Sequence, residues 1–132
     1  MALTRIFAKV IDFRSPFTAM HSAGVAASAV RLARLVHMSD TECQMIRIAG
    51  NLHDIGKLAV PRSVLEKQSR LTPDEFDIIR AHSYCTYQVL DGLKGLEDIQ
   101  RWAAYHHERL DGKGYPFKLD AKTSRWDRAS WL

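Results

Sequence analysis

Apolar residues along this chain recur at helical spacing, and no stretch alternates in the way of a half-buried strand. The segment from Pro16 to Val36 shows the pattern clearly. Its apolar face consists of Val25, Ala29, Leu32, Ala33 and Val36. With no internal repeat and no low-complexity segment, the pattern predicts a single all-α domain.

Two capping boxes predict where further helices begin. Ser39 and Glu42 have the spacing of an N-cap and its N3 partner, and Thr72 and Glu75 repeat it, with Pro73 at the first helical position. The first predicted helix runs through Cys43, Ile46, Ala49, Gly50 and His53. The second passes Phe76, Ile79, His82 and Val89, and stops near Gly92.

A fourth helix is predicted from Leu96 to about His107. Turn residues predict loops from Gly56 to Arg62 and from Asp111 to Pro116.

Composition narrows the class of protein. The chain has 132 residues and a formal charge of +4, with Lys and Arg dispersed, so no nucleic-acid groove is indicated. No apolar run approaches the ~18 residues of a membrane span, and the start lacks a secretory signal. These features predict a cytoplasmic protein without a membrane partner. Cys43 and Cys85 are then expected to be reduced thiols.

The histidines, with Asp54, are the candidate metal ligands of this chain. His53 and Asp54 are adjacent at one predicted helix end, and His106 and His107 at another, while His21 and His82 lie singly on two further helices. Imidazole and carboxylate groups together suit Zn, Fe or Mn. A lone histidine is more often structural, which is the interpretation for His37. Spacing alone therefore leaves a metal site and a structural role both open.

Two motifs resemble a known family. Residues 53–57 read HDIGK, the signature of HD-superfamily phosphohydrolases, and residues 106–116 read HHERLDGKGYP, which resembles the diagnostic stretch of the HD-GYP group. The resemblance extends from His21 to Pro116. The segment from Asp12 to Ser22 is also similar to the family's opening segment.

The resemblance implies an HD-domain helical bundle that hydrolyses cyclic di-GMP at a site holding two or three metal ions. His21, His53 and Asp54 would hold the first ion. Asp54 would bridge to the second, which His82, His106 and His107 would complete. Phe17 replaces the glutamate that supports a third ion, so two divalent ions are expected, with Fe or Mn favoured. A bridging hydroxide would attack the phosphodiester.

The resemblance also implies roles around the ions. Asp54 and Lys57 would be the catalytic residues, with Lys57 neutralising a phosphate oxygen of the cyclic dinucleotide. The remaining substrate-facing residues would be Arg109, Asp111, Gly112, Gly114, Tyr115 and Pro116.

Beyond Pro116 the chain departs from the family, which continues with a helix bearing another metal-binding aspartate. Residues 1–132 are therefore predicted to form a partial HD-GYP domain without its C-terminal helices, and 117–132 an atypical tail. With one base inserted, one choice of codons for Ser124 to Leu132 reads Ile-Pro-Leu-Gly-Pro-Arg-Ile-Leu-Ala, a family-like segment. A frameshift is the hypothesis that this suggests, and a tail that has diverged from the family is the alternative.

Three functional hypotheses follow. The first is a cyclic dinucleotide phosphodiesterase, and the second is an inactive or impaired sensory or interaction module lacking the C-terminal aspartate. The third, an HD phosphohydrolase with another substrate, is disfavoured because the broader group lacks HHERLDGKGYP. Apolar helix faces left uncovered are expected to favour a homo-oligomer.

Overall fold

The computed structural model describes residues 2–13 and 21–122, which contain six α-helices and one short 3-10 helix. The α-helices are α1 (Ala2–Asp12), α2 (His21–Leu35), α3 (Asp40–Leu52), α4 (Arg62–Leu65), α5 (Pro73–Leu90) and α6 (Glu97–Ala104). The 3-10 helix spans Ile55–Ala59. No strand occurs in these residues, which confirms the all-α prediction.

Both capping boxes form as predicted. The Ser39 hydroxyl accepts a hydrogen bond from the Glu42 backbone N–H at 3.2 Å, and the Glu42 carboxylate accepts from the Ser39 N–H at 2.7 Å. Thr72 and Glu75 repeat the arrangement at the start of α5, with Pro73 at the first helical position. These caps satisfy N–H groups that have no partner within the helix.

The predicted fourth helix is too long. In the structure, α6 ends at Ala104, and its C-cap residue Tyr105 has φ −93° and ψ 8°. His106 Nδ1 lies 2.8 Å from the Ala103 carbonyl oxygen and hydrogen-bonds to it. A further helical turn would need that oxygen as an acceptor for a backbone N–H. His106 and His107 therefore lie on the turn after α6 and not on the helix.

Other boundaries also differ from the prediction. The stretch predicted as a loop from Gly56 to Arg62 contains most of the 3-10 helix and the first residue of α4. Helix α1 was not predicted, although Ala8 and Ile11 on one of its faces are buried. In the predicted helix from Pro16, the described part begins at His21, and Phe17 lies outside the described residues.

The helices enclose two adjoining groups of buried apolar side chains. Helix α3 packs against α1, α2 and α6, and α5 packs against α6 and the 3-10 helix. Trp102 on α6 contacts both groups. Helices α2 and α3 approach closely at Gly50, where an added Cβ would lie 2.7 Å from the Ala26 Cα.

None of the described helices combines the length and apolar character needed to cross a membrane.

Candidate metal centre

The fold brings together all six residues that the sequence offered as metal ligands. They form two groups, and within each group the potential ligand atoms lie within 4.8 Å of one another. One group is His21, His53 and Asp54. The other is His82, His106 and His107. The ligands come from α2, the end of α3, α5 and the turn after α6, so only the tertiary fold joins them.

Asp54 lies between the two groups, with one carboxylate oxygen towards each. Oδ2 is 3.1 Å from His53 Nε2, and Oδ1 is 3.3 Å from His82 Nε2 and 3.9 Å from His106 Nε2. The residue is 3% exposed. A carboxylate placed in this way is able to bind one ion through each oxygen.

Backbone carbonyls orient three of the histidines in the same manner. Nδ1 of His53, His82 and His106 lies 2.8, 2.5 and 2.8 Å from the carbonyl oxygen three residues earlier in each case. Because a carbonyl only accepts hydrogen bonds, each Nδ1 must carry a proton. A neutral ring then presents an unprotonated Nε2 to the centre, the state that binds a metal ion.

The donor set fits a cation. His82 Nε2 and His106 Nε2 lie only 3.2 Å apart, and in neutral rings both would present lone pairs. Two facing lone pairs beside a carboxylate repel one another unless a positive charge lies among them. A divalent ion bound by imidazole and carboxylate meets this requirement.

The pKa shifts agree with neutral histidines around an ionised aspartate. Burial and the nearby His53 and His107 rings lower the pKa of His106 to about 3, and burial with His82 lowers the pKa of His107 to about 4. Burial by itself would raise the pKa of Asp54. The His53 and His82 side chains and the Lys57 ammonium outweigh burial and hold the Asp54 pKa well below its ordinary value.

Thr86 was not predicted to have a role. It holds residues 53–56, the corner of the chain that carries Asp54, against α5. Its fully buried hydroxyl donates to the His53 carbonyl at 3.0 Å and accepts from the Gly56 N–H at 3.1 Å. Gly56 permits this approach, because an added Cβ would lie 1.9 Å from the His82 carbonyl oxygen. No local sequence pattern marks Thr86, since its partners are about thirty positions away.

A buried hydrogen bond fixes the first turn of α2. The Ser22 hydroxyl donates to Asp12 Oδ1 at 2.7 Å, and both residues are buried. This contact joins the end of α1 to the residue beside His21, so the segment similar to the family's opening helps to position that ligand.

Lys57 lies on the 3-10 helix and reaches the centre. Its Nζ is 2.7 Å from Asp54 Oδ2, and the side chain is 19% exposed. Lys57 was predicted to contact a substrate phosphate; in this structure its partner is the carboxylate between the two groups.

The loop after His107 is held together by Glu108, another residue that the sequence analysis left without a role. Its carboxylate accepts hydrogen bonds from the backbone N–H groups of Phe117 at 2.6 Å and Leu119 at 2.9 Å. Gly114 packs against this turn, where an added Cβ would lie 2.5 Å from the Glu108 Cα. The residues just after the signature are therefore part of the same loop.

The predicted substrate-facing residues divide into two sets. Tyr115 stacks on His107 with ring centroids 4.7 Å apart, which places it beside the ligands. Arg109 and Asp111 form an exposed two-point ion pair, and Gly112 turns the chain with φ +71°. Pro116 follows a cis peptide bond. Arg109, Asp111, Gly112 and Pro116 shape the loop and do not line the cavity at the centre.

A cavity of about 390 Å³ opens beside the ligands. Lys57 and five of the proposed ligands border it on one side: His21, His53, Asp54, His106 and His107. Apolar side chains, including Val25, Ile46 and Trp102, form the other wall. The cavity thus has a polar side that carries the candidate ligands and an apolar side.

Comparisons with known proteins agree with this geometry. Residues 5–123 match the family described as HD domain. The chain is 42% identical over 110 residues to a 3'3'-cGAMP-specific phosphodiesterase of Vibrio cholerae, covering 83% of this chain and 24% of that protein. It is 40% identical over 110 residues to a cyclic di-GMP phosphodiesterase of Pseudomonas aeruginosa, covering 78% and 25%.

A cyclic di-GMP phosphodiesterase of Thermotoga maritima is 36% identical over 107 residues, covering 80% of this chain and 29% of that protein. The chain thus spans about a quarter of the length of these relatives. The matched region includes both motifs and most of the described helices. The chain therefore belongs to the HD domain family, and its signature loop carries the HD-GYP pattern.

Proposed function

We propose that this chain is the metal-binding core of a phosphodiesterase that hydrolyses cyclic dinucleotides with two divalent ions. The observation that carries the proposal is the Asp54 carboxylate, which directs one oxygen towards each of two histidine groups. The relatives, named as cyclic di-GMP and 3'3'-cGAMP phosphodiesterases, support the substrate class.

The proposed ligands follow the two groups. His21, His53 and Asp54 hold one ion, and Asp54 with His82, His106 and His107 holds the other. When bound, such a pair supplies Lewis acidity, which lowers the pKa of a water and polarises a phosphodiester. Fe and Mn are the ions that we expect.

The surrounding residues handle the substrate. Lys57 Nζ borders the cavity and has three donor hydrogens, so it is able to keep Asp54 as one partner and donate to a phosphate oxygen as well. Its positive charge then offsets the charge that develops on the phosphate during attack. Tyr115, stacked on His107, holds that imidazole in orientation.

Metal content tests the ligand set. We expect purified protein supplied with Mn²⁺ or Fe²⁺ to bind two ions per chain by elemental analysis. Asp54→Ala should lose most of both, because the replaced carboxylate serves both groups. Asp77→Ala removes an exposed carboxylate from α5 and should leave the content unchanged. Full metal content in Asp54→Ala would refute the site.

Hydrolysis of cyclic di-GMP and 3'3'-cGAMP tests the activity. We expect Lys57→Ala to retain its metal and to lose about a hundredfold in kcat, a usual size for a group that stabilises transition-state charge. Lys113→Ala, in the exposed part of the loop, is the control and should remain near wild type. Two bound ions without hydrolysis of either substrate would favour the non-catalytic module.

A further inference from the structure

A second and larger cavity lies on the other side of the α2–α3 pair. It is a groove of about 900 Å³ between α1, α2 and α3, and it shares no lining residue with the cavity at the metal centre. On α3, Ile46, Ala49, Gly50 and His53 line the centre, while Gln44, Arg47 and Asn51 line the groove. At 100° per residue these sets occupy opposite helix faces.

The groove is strongly basic. Arg5 and Lys9 on α1, Arg34 on α2 and Arg47 on α3 line it, and Asp12 is the one carboxylate among its described lining residues. Asp12 accepts a hydrogen bond from the Ser22 hydroxyl at 2.7 Å. Four positive charges and one negative charge give the described lining residues a net charge of +3.

These cations have no ion pair or hydrogen bond within the described part of the chain. Arg47 is partly buried, whereas Arg5, Lys9 and Arg34 are exposed. Among the described residues, six of the nine ion pairs use an arginine or a lysine, and all six lie outside the groove.

Asn51 gives an independent indication. It is only 5% exposed, lines the groove, and its side-chain amide has no hydrogen-bond partner within the described residues. Its amide atoms are not among the fully buried, unpartnered atoms of the described residues, so they keep solvent contact and offer a ligand in the groove both donors and an acceptor. Ala8, Ala23 and Ala26 also line the groove, and their small side chains leave room for a ligand beside the amide and the cations.

We propose that this groove binds a soluble, phosphate-bearing small molecule through Arg5, Lys9, Arg34 and Arg47, with Asn51 as an additional hydrogen-bond partner. Guanidinium groups match phosphate oxygens with paired donors, which favours phosphate over a single carboxylate. A ligand with about three negative charges, such as pyrophosphate or a nucleoside diphosphate, would balance the groove. Its volume lies within the range of small-molecule sites, roughly 300–1,000 Å³.

Calorimetry with inorganic pyrophosphate and ADP as probes tests the proposal. Chelator-treated protein is used, so that ions at the metal centre do not attract the probes, and circular dichroism checks that it remains folded. We expect saturable binding of at least one probe, weakened by added salt. The double variant Arg34→Gln, Arg47→Gln should bind at least tenfold more weakly.

The control variant Arg70→Gln, Lys94→Gln removes the same charge from exposed loops outside the groove and should bind as wild type does. Equal losses in both double variants, or no saturable binding of either probe, would overturn the proposal. Phosphatidylcholine vesicles containing phosphatidylglycerol form a further arm. Binding to these vesicles but to neither soluble probe would make the groove a lipid site and would also overturn it. None of these results depends on the metal content or hydrolysis assays.

Discussion

At the scale of single residues, the centre depends on groups that are not ligands themselves. Three backbone carbonyls set the ring orientation of His53, His82 and His106. Thr86 holds the corner that carries Asp54 against α5. The carbonyls orient three candidate ligands directly, and Thr86 positions Asp54 through the residues on either side of it; an outer layer of hydrogen bonds usually supports a metal site in this way.

Gly56 offers a direct test of that corner. We expect Gly56→Ala to lower the free energy of unfolding by roughly 3 kcal/mol, because its Cβ would overlap the His82 carbonyl oxygen and the Thr86 backbone nitrogen. Separating the 3-10 helix from α5 also moves Asp54 away from His82, so metal content should fall as well.

Gly24→Ala is the matched control. Gly24 lies exposed within α2, and an added Cβ there would have no atom within 4 Å. This variant should be more stable than wild type by up to about 1 kcal/mol, since alanine favours helix. Denaturant titration measures both variants, and equal stability of the two would contradict the close contact at Gly56.

At the scale of elements, α5 carries His82 and begins at the capping box of Thr72 and Glu75. An ion pair between Glu75 and Lys67 adds to this box. Lys67 Nζ lies 2.6 Å from Glu75 Oε2, and that contact, followed by the Thr72 backbone N–H, lowers the Glu75 pKa from its ordinary 4.5. A carboxylate with a lowered pKa in the folded state stabilises the protein above the unfolded pKa.

The stabilisation by Glu75 should therefore disappear in acid. We expect Glu75→Gln, which keeps a side-chain acceptor but removes the charge, to lower the melting temperature at pH 7. The difference from wild type should shrink as pH falls below about 4.5, where the unfolded carboxyl becomes protonated. Asp77→Asn, an exposed acidic residue further along α5, is the control. A difference between Glu75→Gln and wild type that is the same at pH 7 and pH 3 would exclude the charge as its cause.

At the scale of the whole molecule, α1 has apolar side chains on two faces. Ala8 and Ile11 face the core, whereas Leu3, Ile6, Phe7, Val10 and Phe13 are exposed. The exposed set recurs at spacings of three and four residues, as in helices that pack against another helix. The predicted homo-oligomer remains a prediction, and α1 is the surface on which we would test it.

Light scattering over a range of protein concentrations measures this association. We expect the chain to self-associate, and Ile6→Glu, Val10→Glu to shift it to the monomer, because a carboxylate is costly to bury between apolar faces. Ile78→Glu, Val89→Glu alters two exposed apolar residues on α5 and is the control. A monomer at every concentration, or the same shift in both variants, would contradict an interface on α1.

Local sequence was sufficient for the all-α class, for two helix starts and for the identity of the candidate ligands. Helical periodicity and capping boxes depend on residues within four positions of one another, and so they are visible along the chain. The resemblance through HDIGK and HHERLDGKGYP led to the family that the comparisons confirm. The frameshift hypothesis concerns residues 124–132, outside the described part, and stays a prediction.

Only the tertiary structure decided how these parts meet. The hydrogen bonds of Thr86 and the approach of His82 and His106 to Asp54 depend on partners far away along the chain. The basic groove likewise exists because three helices place Arg5, Lys9, Arg34 and Arg47 around one space, although these cations look dispersed in the sequence. Periodicity shows which face a residue occupies, whereas packing alone determines which faces lie opposite one another.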